Sequence, residues 1–177
     1  VQADSYYNKD VTTAVEAYNE GFSHFISEVD KGEPMFIALS IAPIFPYQYG
    51  NSRRIACDTW GKIGQSEYSL NSVSGGWWTN EFYQYNDPDH LVLVGNDADK
   101  ETEGENRARI TNGAVSGMVL VSDNYSLEDK SGRGDAKLSR ERAQKILMNK
   151  DVNEMADFGR SARPVYGYCL LYTSPSP

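Results

Sequence analysis

Cysteine is scarce in this chain, with only Cys57 and Cys169 among 177 residues. Neither stands in a Cys-x-x-Cys pair and no zinc-type spacing is present, so a disulfide framework and a structural zinc module are excluded. No apolar run approaches the roughly 20 residues that a membrane-crossing helix needs. Basic residues are outnumbered, 17 Lys and Arg against 25 Asp and Glu, for a net charge of −8. That balance argues against a nucleic-acid partner, which calls for a basic face, and is compatible with a neutral one. Its ordinary effect is to keep a protein in solution. No GxGxxG or Walker-type loop is present, which weakens a nucleotide-binding reading. Internal repeats and low-complexity stretches are lacking as well.

Aromatic residues are plentiful, at 12% of the chain with 12 Tyr and 3 Trp. Such rings fill cores and also stack on sugars. Val11, Val15, Tyr18, Phe22, Phe25, Ile26 and Val29 recur at helical spacing, with Asp10 as the expected N-cap and Lys31-Gly32 as the stop. Met35 to Ser40 is a short continuous apolar run, the pattern of a strand buried on both faces. Further strands are expected at Arg54 to Cys57, Phe82 to Tyr85 and Met118 to Val121. Helices are expected at Ser66 to Val73, Glu105 to Val115 and Ser139 to Asn149, the last with Ala143, Ile146 and Leu147 facing inward. Strand and helix alternate with short connections, which predicts a parallel α/β sheet. Polar and charged residues follow the C-terminal end of every expected strand. A (β/α)8 barrel places its active site there, and a doubly wound sheet also binds ligands at that end.

Two carboxylate clusters carry the chemical signal. One is Arg54-x-x-x-Asp58; the other is Asn86-Asp87-Pro88-Asp89. Together with the strand ending in Ser40, the segment Gly117 to Asp123 and the stretch Ile146 to Asn153, they resemble in content and order the α-galactosidase-like glycoside hydrolases, family 27 and its clan. The resemblance spans roughly residues 5 to 165. It implies the TIM-barrel fold, with residues 1–168 supplying strands five to eight and their helices. It also implies retaining hydrolysis of a terminal α-galactoside-like bond in an oligosaccharide or glycoside, with no cofactor or metal. A retaining glycosidase uses two carboxyl groups about 5–5.5 Å apart, one as nucleophile and one as acid/base. The acid must keep its proton near neutral pH. Burial and a neighbouring carboxylate favour that, and a neighbouring guanidinium opposes it.

By the resemblance, Asp58 is the acid/base, Arg54 contacts the sugar and positions the acid, and Asp89 contacts the sugar. Asp87 and Asn86 hold the turn, with Pro88 fixing the backbone between the aspartates. Trp77, Trp78 and Tyr47 are the expected aromatic or polar contacts to substrate, although packing explains the tryptophans equally well. The family's nucleophile is an aspartate in a Lys-x-Asp pattern, and no such pattern precedes the first helix. The nucleophile is therefore expected upstream of Val1 and the chain alone is expected to be inactive. Many family members carry a Cys-Glu-Trp after the fifth-strand serine, whose glutamate reads the sugar's 2-position. Here Ile41-Ala42-Pro43 follows Ser40. β-L-Arabinopyranosides, N-acetylgalactosaminides and α-1,6-glucans therefore stand beside α-galactosides as substrates. A non-catalytic carbohydrate-binding barrel is the alternative.

Asp87, Asp89 and His90 are also good metal ligands by type, but the sequence offers no converging partner set. The last nine residues, 169–177, resemble a translated sequencing adapter and are set apart from the domain. With no initiator Met at Val1, the chain is expected to be a fragment. An extracellular or periplasmic location follows from family habit alone.

Overall fold

The computed structural model describes residues 6–45, 47–59, 62–94, 101–123, 125–126, 135–157 and 159–163. The tail at 169–177 lies outside the described residues. The first helix, α1 (Ala14–Val29), starts three residues later than Asp10 would have it. Thr13 and Glu16 form a capping box, each side chain bonding the other's backbone N–H. That reciprocal arrangement satisfies two otherwise orphaned donors, which Asp10 alone cannot do. No residue of α1 is fully buried; its stripe is half-covered, with Tyr49 stacked on Phe22 at 5.4 Å and hydrogen-bonded to Asn19.

Three short parallel strands follow: β1 (Ala38–Leu39), β2 (Ser52–Arg54) and β3 (Tyr85–Asp87). They pair in sequence order, β1-β2-β3. Register is Ala38 with Ser52, then Ser52 with Tyr85 and Arg54 with Asp87. Each strand is shorter than the apolar run that announces it or lies beside it. β3 begins at Tyr85 rather than Phe82 because a 3-10 turn, Trp77–Glu81, precedes it. The Thr79 carbonyl in that turn takes both the Phe82 and Tyr83 amides, which withdraws them from the sheet. The fourth expected strand is reduced to one parallel bridge between Leu91 and Val121.

The helices after β2, with the 91–94 segment, enclose the core. They are α2 (Ser66–Gly76), α3 (Glu103–Ser116), α4 (Ala136–Arg142) and α5 (Lys150–Asp157). A π-helical turn, Ala143–Leu147, prolongs α4 without a gap, so the expected helix from Ser139 is present, starts three residues earlier and changes its winding after Arg142. α3 packs against both α2 and α5. Leu91, Leu93, Val94, Ile110 and Ile146 form the buried cluster, with Ala143 and Leu147 against it, as the helical spacing predicts. Among the described residues no helix is long and apolar enough to cross a membrane.

Candidate functional site

The site is assembled where β2 and β3 end. The ladder continues one step past β2, since the Ile55 amide donates to the Asp87 carbonyl at 2.8 Å. This holds the 55–59 segment beside the segment that leaves β3. Arg54, the last residue of β2, lies between the two chains and bridges them. One guanidinium nitrogen, Nη1, donates to Asp58 Oδ1 four residues on. The Nε lies 3.4 Å from Asp89 Oδ1, on the neighbouring segment. Asp58, Arg54 and Asp89 therefore meet, and their exposures grade from outside to inside. The side chains are 61%, 17% and 4% exposed respectively. Asp58 is the solvent-facing member and Asp89 the buried one.

Asp89 is held by more than Arg54. Its Oδ2 accepts from the Thr59 amide at 2.6 Å, and His90 Nδ1 stands 3.2 Å from its Oδ1. The turn that aims it is tight. The Asp89 amide donates to Asp87 Oδ1 at 2.8 Å, and Asp89 has φ of 69°, the only non-glycine positive φ among the described residues. Left-handed backbone is strained for most L-residues and least so for Asn and Asp. Residues kept in such strain cluster at functional sites, where surrounding bonds over-determine them. Pro88 presets the preceding φ. The Asp87 carboxyl is pushed above the usual carboxylate range. Burial is the main cause, the Asp89 charge adds to it, and the Asp89 amide, Arg54 and His90 oppose it.

β3 is fixed from its other side by Asn86, which is fully buried. Its Oδ1 accepts from the Thr79 hydroxyl at 2.8 Å and its amide donates to Ser161 Oγ at 2.8 Å. Ser161 Oγ in turn donates to the Ser116 carbonyl at 2.7 Å, at the end of α3. Asp87 thus closes the turn onto the Asp89 amide, while Asn86 ties β3 to Thr79 and Ser161.

The aromatic residues named from the sequence lie elsewhere. Trp77 and Trp78 belong to the turn that enters β3, whereas Asp87 and Asp89 leave it. The Arg163 guanidinium covers Trp77 at 4.6 Å and also pairs with Glu81. Trp78 meets Phe82 edge-on with ring centres 6.1 Å apart, and Tyr47 packs on the same Phe82 at 5.7 Å. Trp78 and Tyr47 thus share Phe82 as a packing partner, and Trp77 is covered by Arg163. Asp89 also differs from its expected part. Its carboxylate is engaged by the protein, and the cavity it lines measures about 10 Å3, room for one water and not for a sugar ring. Its office in this structure is to hold Arg54 and Thr59.

Two residues that sequence reasoning passed over complete the site: Thr59 and Arg109. Thr59 is fully buried and Arg109 nearly so. Arg109 reaches from α3 to Thr59 Oγ1 at 2.6 Å and to the His90 carbonyl at 2.9 Å. Thr59 follows Asp58 directly and gave a positional hint. Arg109 lies fifty residues on in a helix rich in charge, with nothing to mark it as inward-facing. Among the described residues no group of three or more His, Cys, Asp and Glu side chains is gathered as a metal site would need. Comparison with protein-family models, with curated proteins and with solved structures finds no match for this chain.

Proposed function

We propose that this chain is the second half of a (β/α)8 barrel from an α-galactosidase-like retaining glycosidase, carrying the saccharide-gripping rim and the acid/base. One observation carries the reading. A single arginine at the end of β2 joins an exposed carboxylate to a buried one held by the adjacent parallel strand. Support also comes from three parallel strands paired in chain order, as consecutive barrel strands are.

In this reading the solvent-facing Asp58 meets the glycosidic oxygen. Arg54 binds sugar hydroxyls with its remaining N–H groups, and Asp89 keeps that guanidinium in place. The nucleophile is supplied from outside this chain, and the chain alone hydrolyses nothing. A neutral polyhydroxylated ligand suits a site whose charges neutralise one another.

Calorimetric titration with methyl α-D-galactoside, methyl β-L-arabinopyranoside, N-acetylgalactosamine and isomaltose tests this. Binding of at least one is expected, abolished in Arg54→Ala. No heat with any of the four overturns the reading. A carbohydrate-binding protein without catalysis is the second reading, favoured by the fact that Asp58 has no carboxylate partner among the described contacts. Turnover of an aryl α-galactoside, once a preceding segment with a Lys-x-Asp is joined to the chain, separates the two.

A further inference from the structure

We infer that Arg109 is a positioning residue that fixes Asp89 through the Thr59 hydroxyl, and through Asp89 the Arg54 guanidinium. The inference rests on the saccharide reading above and adds a buried third layer to it.

The proton arithmetic gives the relay its direction. Arg109 Nη2 carries two hydrogens, one for Thr59 Oγ1 at 2.6 Å and one for the His90 carbonyl at 2.9 Å. Thr59 Oγ1 has a single proton and two acceptors in reach, Asp89 Oδ2 at 3.3 Å and the His90 carbonyl at 3.1 Å. Arginine has no lone pair to offer, so it occupies the hydroxyl as a donor. It also satisfies the His90 carbonyl. The threonine proton is thereby left for the carboxylate, the better acceptor. Asp89 Oδ2 then holds both the amide and the hydroxyl of one residue, and Oδ1 is left facing Arg54 and the His90 ring. Arg109 also ties down the His90 carbonyl, one peptide beyond the strained Asp89 backbone.

Placing a guanidinium here is costly. Arg109 is 3% exposed and its Nε has no hydrogen-bond partner among the described residues. Burial lowers its affinity for its proton, opposed by the charges of Asp89 and then Glu101. A residue needed only to anchor α3 would be cheaper as an apolar side chain, since well-packed apolar groups match or exceed buried charges in stability. The fork geometry is what an apolar side chain cannot supply.

The test uses the full chain with Arg109→Met, Arg109→Lys, Thr59→Val and Thr59→Ser. Affinity for the best-bound methyl glycoside is read by calorimetry, and the Thr59 amide proton by NMR. Thr59→Val and Arg109→Met are each expected to weaken binding about tenfold, the scale of one lost charge-assisted hydrogen bond. The double variant is expected to bind no worse than either single one, because both break one chain of contacts. Thr59→Ser restores binding, and Arg109→Lys, lacking the fork, does not. The Thr59 amide proton, donated to a carboxylate, moves upfield in both Arg109 variants. Should Arg109→Met fail to fold, Thr59→Val and Arg109→Lys decide alone. Unchanged affinity in folded variants, additive losses in the double variant, or a stationary Thr59 amide overturns the relay. A wild-type chain that binds no saccharide overturns the reading it rests on instead, and the amide shift still decides whether Arg109 governs the Asp89 contact.

Discussion

Asp87 shows at the scale of a single residue how the site loads its own turn. Its carboxyl holds its proton more tightly in the folded chain than the usual 3.8, chiefly through burial. A raised folded value means that ionisation costs stability as pH climbs from the ordinary carboxylate range through the raised one. Asp87→Asn removes that cost and keeps an oxygen for the Asp89 amide. The gain in urea midpoint over wild type should therefore be small in acid and grow across that window, then level off. Parallel midpoint-against-pH curves for the two proteins would refute it. Asn86 is the opposite case, a neutral buried amide with both ends satisfied. Asn86→Ala takes one partner each from Thr79 and Ser161, which keep the Gly76 and Ser116 carbonyls, and is expected to cost about 1–2 kcal/mol in chemical denaturation. A loss under half a kcal/mol would show that the network relaxes freely. Both aspartates and the asparagine were legible in the sequence because a Pro-bracketed acidic turn is a local pattern. Thr59 and Arg109 were not legible, because their roles depend on which helix face turns inward.

Helix limits followed cap chemistry more closely than hydrophobic spacing. α1 and α3 both begin at a threonine with a glutamate three residues on, Thr13-Glu16 and Thr102-Glu105, and both boxes close. The apolar periodicity located each helix but not its first residue, which the threonine sets. Thr102→Ala should cost about 1 kcal/mol, read from the thermal midpoint. No change would show that the start of α3 is fixed by packing alone. At the other end of α3, Gly117 has φ of 94°, and a Cβ there would stand 2.9 Å from the Gly159 carbonyl carbon. Gly117→Ala meets both a conformational penalty and a backbone that cannot yield, and should cost about 2 kcal/mol or more. The strands were the least legible elements. Apolar runs of four to six residues gave ladders of two or three, because pairing is decided by the neighbouring strand and not by the run itself.

The whole molecule is lopsided. Leu91, Leu93, Val94, Ile110 and Ile146 are buried together on one side. Elsewhere Met35, Phe36, Ile41 and Phe45 are exposed, no residue of α1 is fully buried, and β1 is an edge among the described strands. Open, apolar edges invite association. The chain is therefore expected to bind a hydrophobic dye and to sediment with a concentration-dependent weight. In hydrogen exchange α1 and β1 should open long before α3. A monomer at all concentrations, with uniform protection, would contradict this. The alternation of strand and helix was readable in advance, but the bareness of one flank was not, because a stripe of apolar residues does not say what will cover it.

The stretch 159–163 has a consequence out of proportion to its length. It is stitched into three places at once: the Asn80 amide grips the Gly159 carbonyl, Ser161 takes the Asn86 side chain, and the Ala162 amide closes on Val115. It serves as a keystone set in from the far end of the chain. A version ending at residue 157 would keep Arg54, Asp58 and Asp89, and would still lose the wedge that seats β3 beside them.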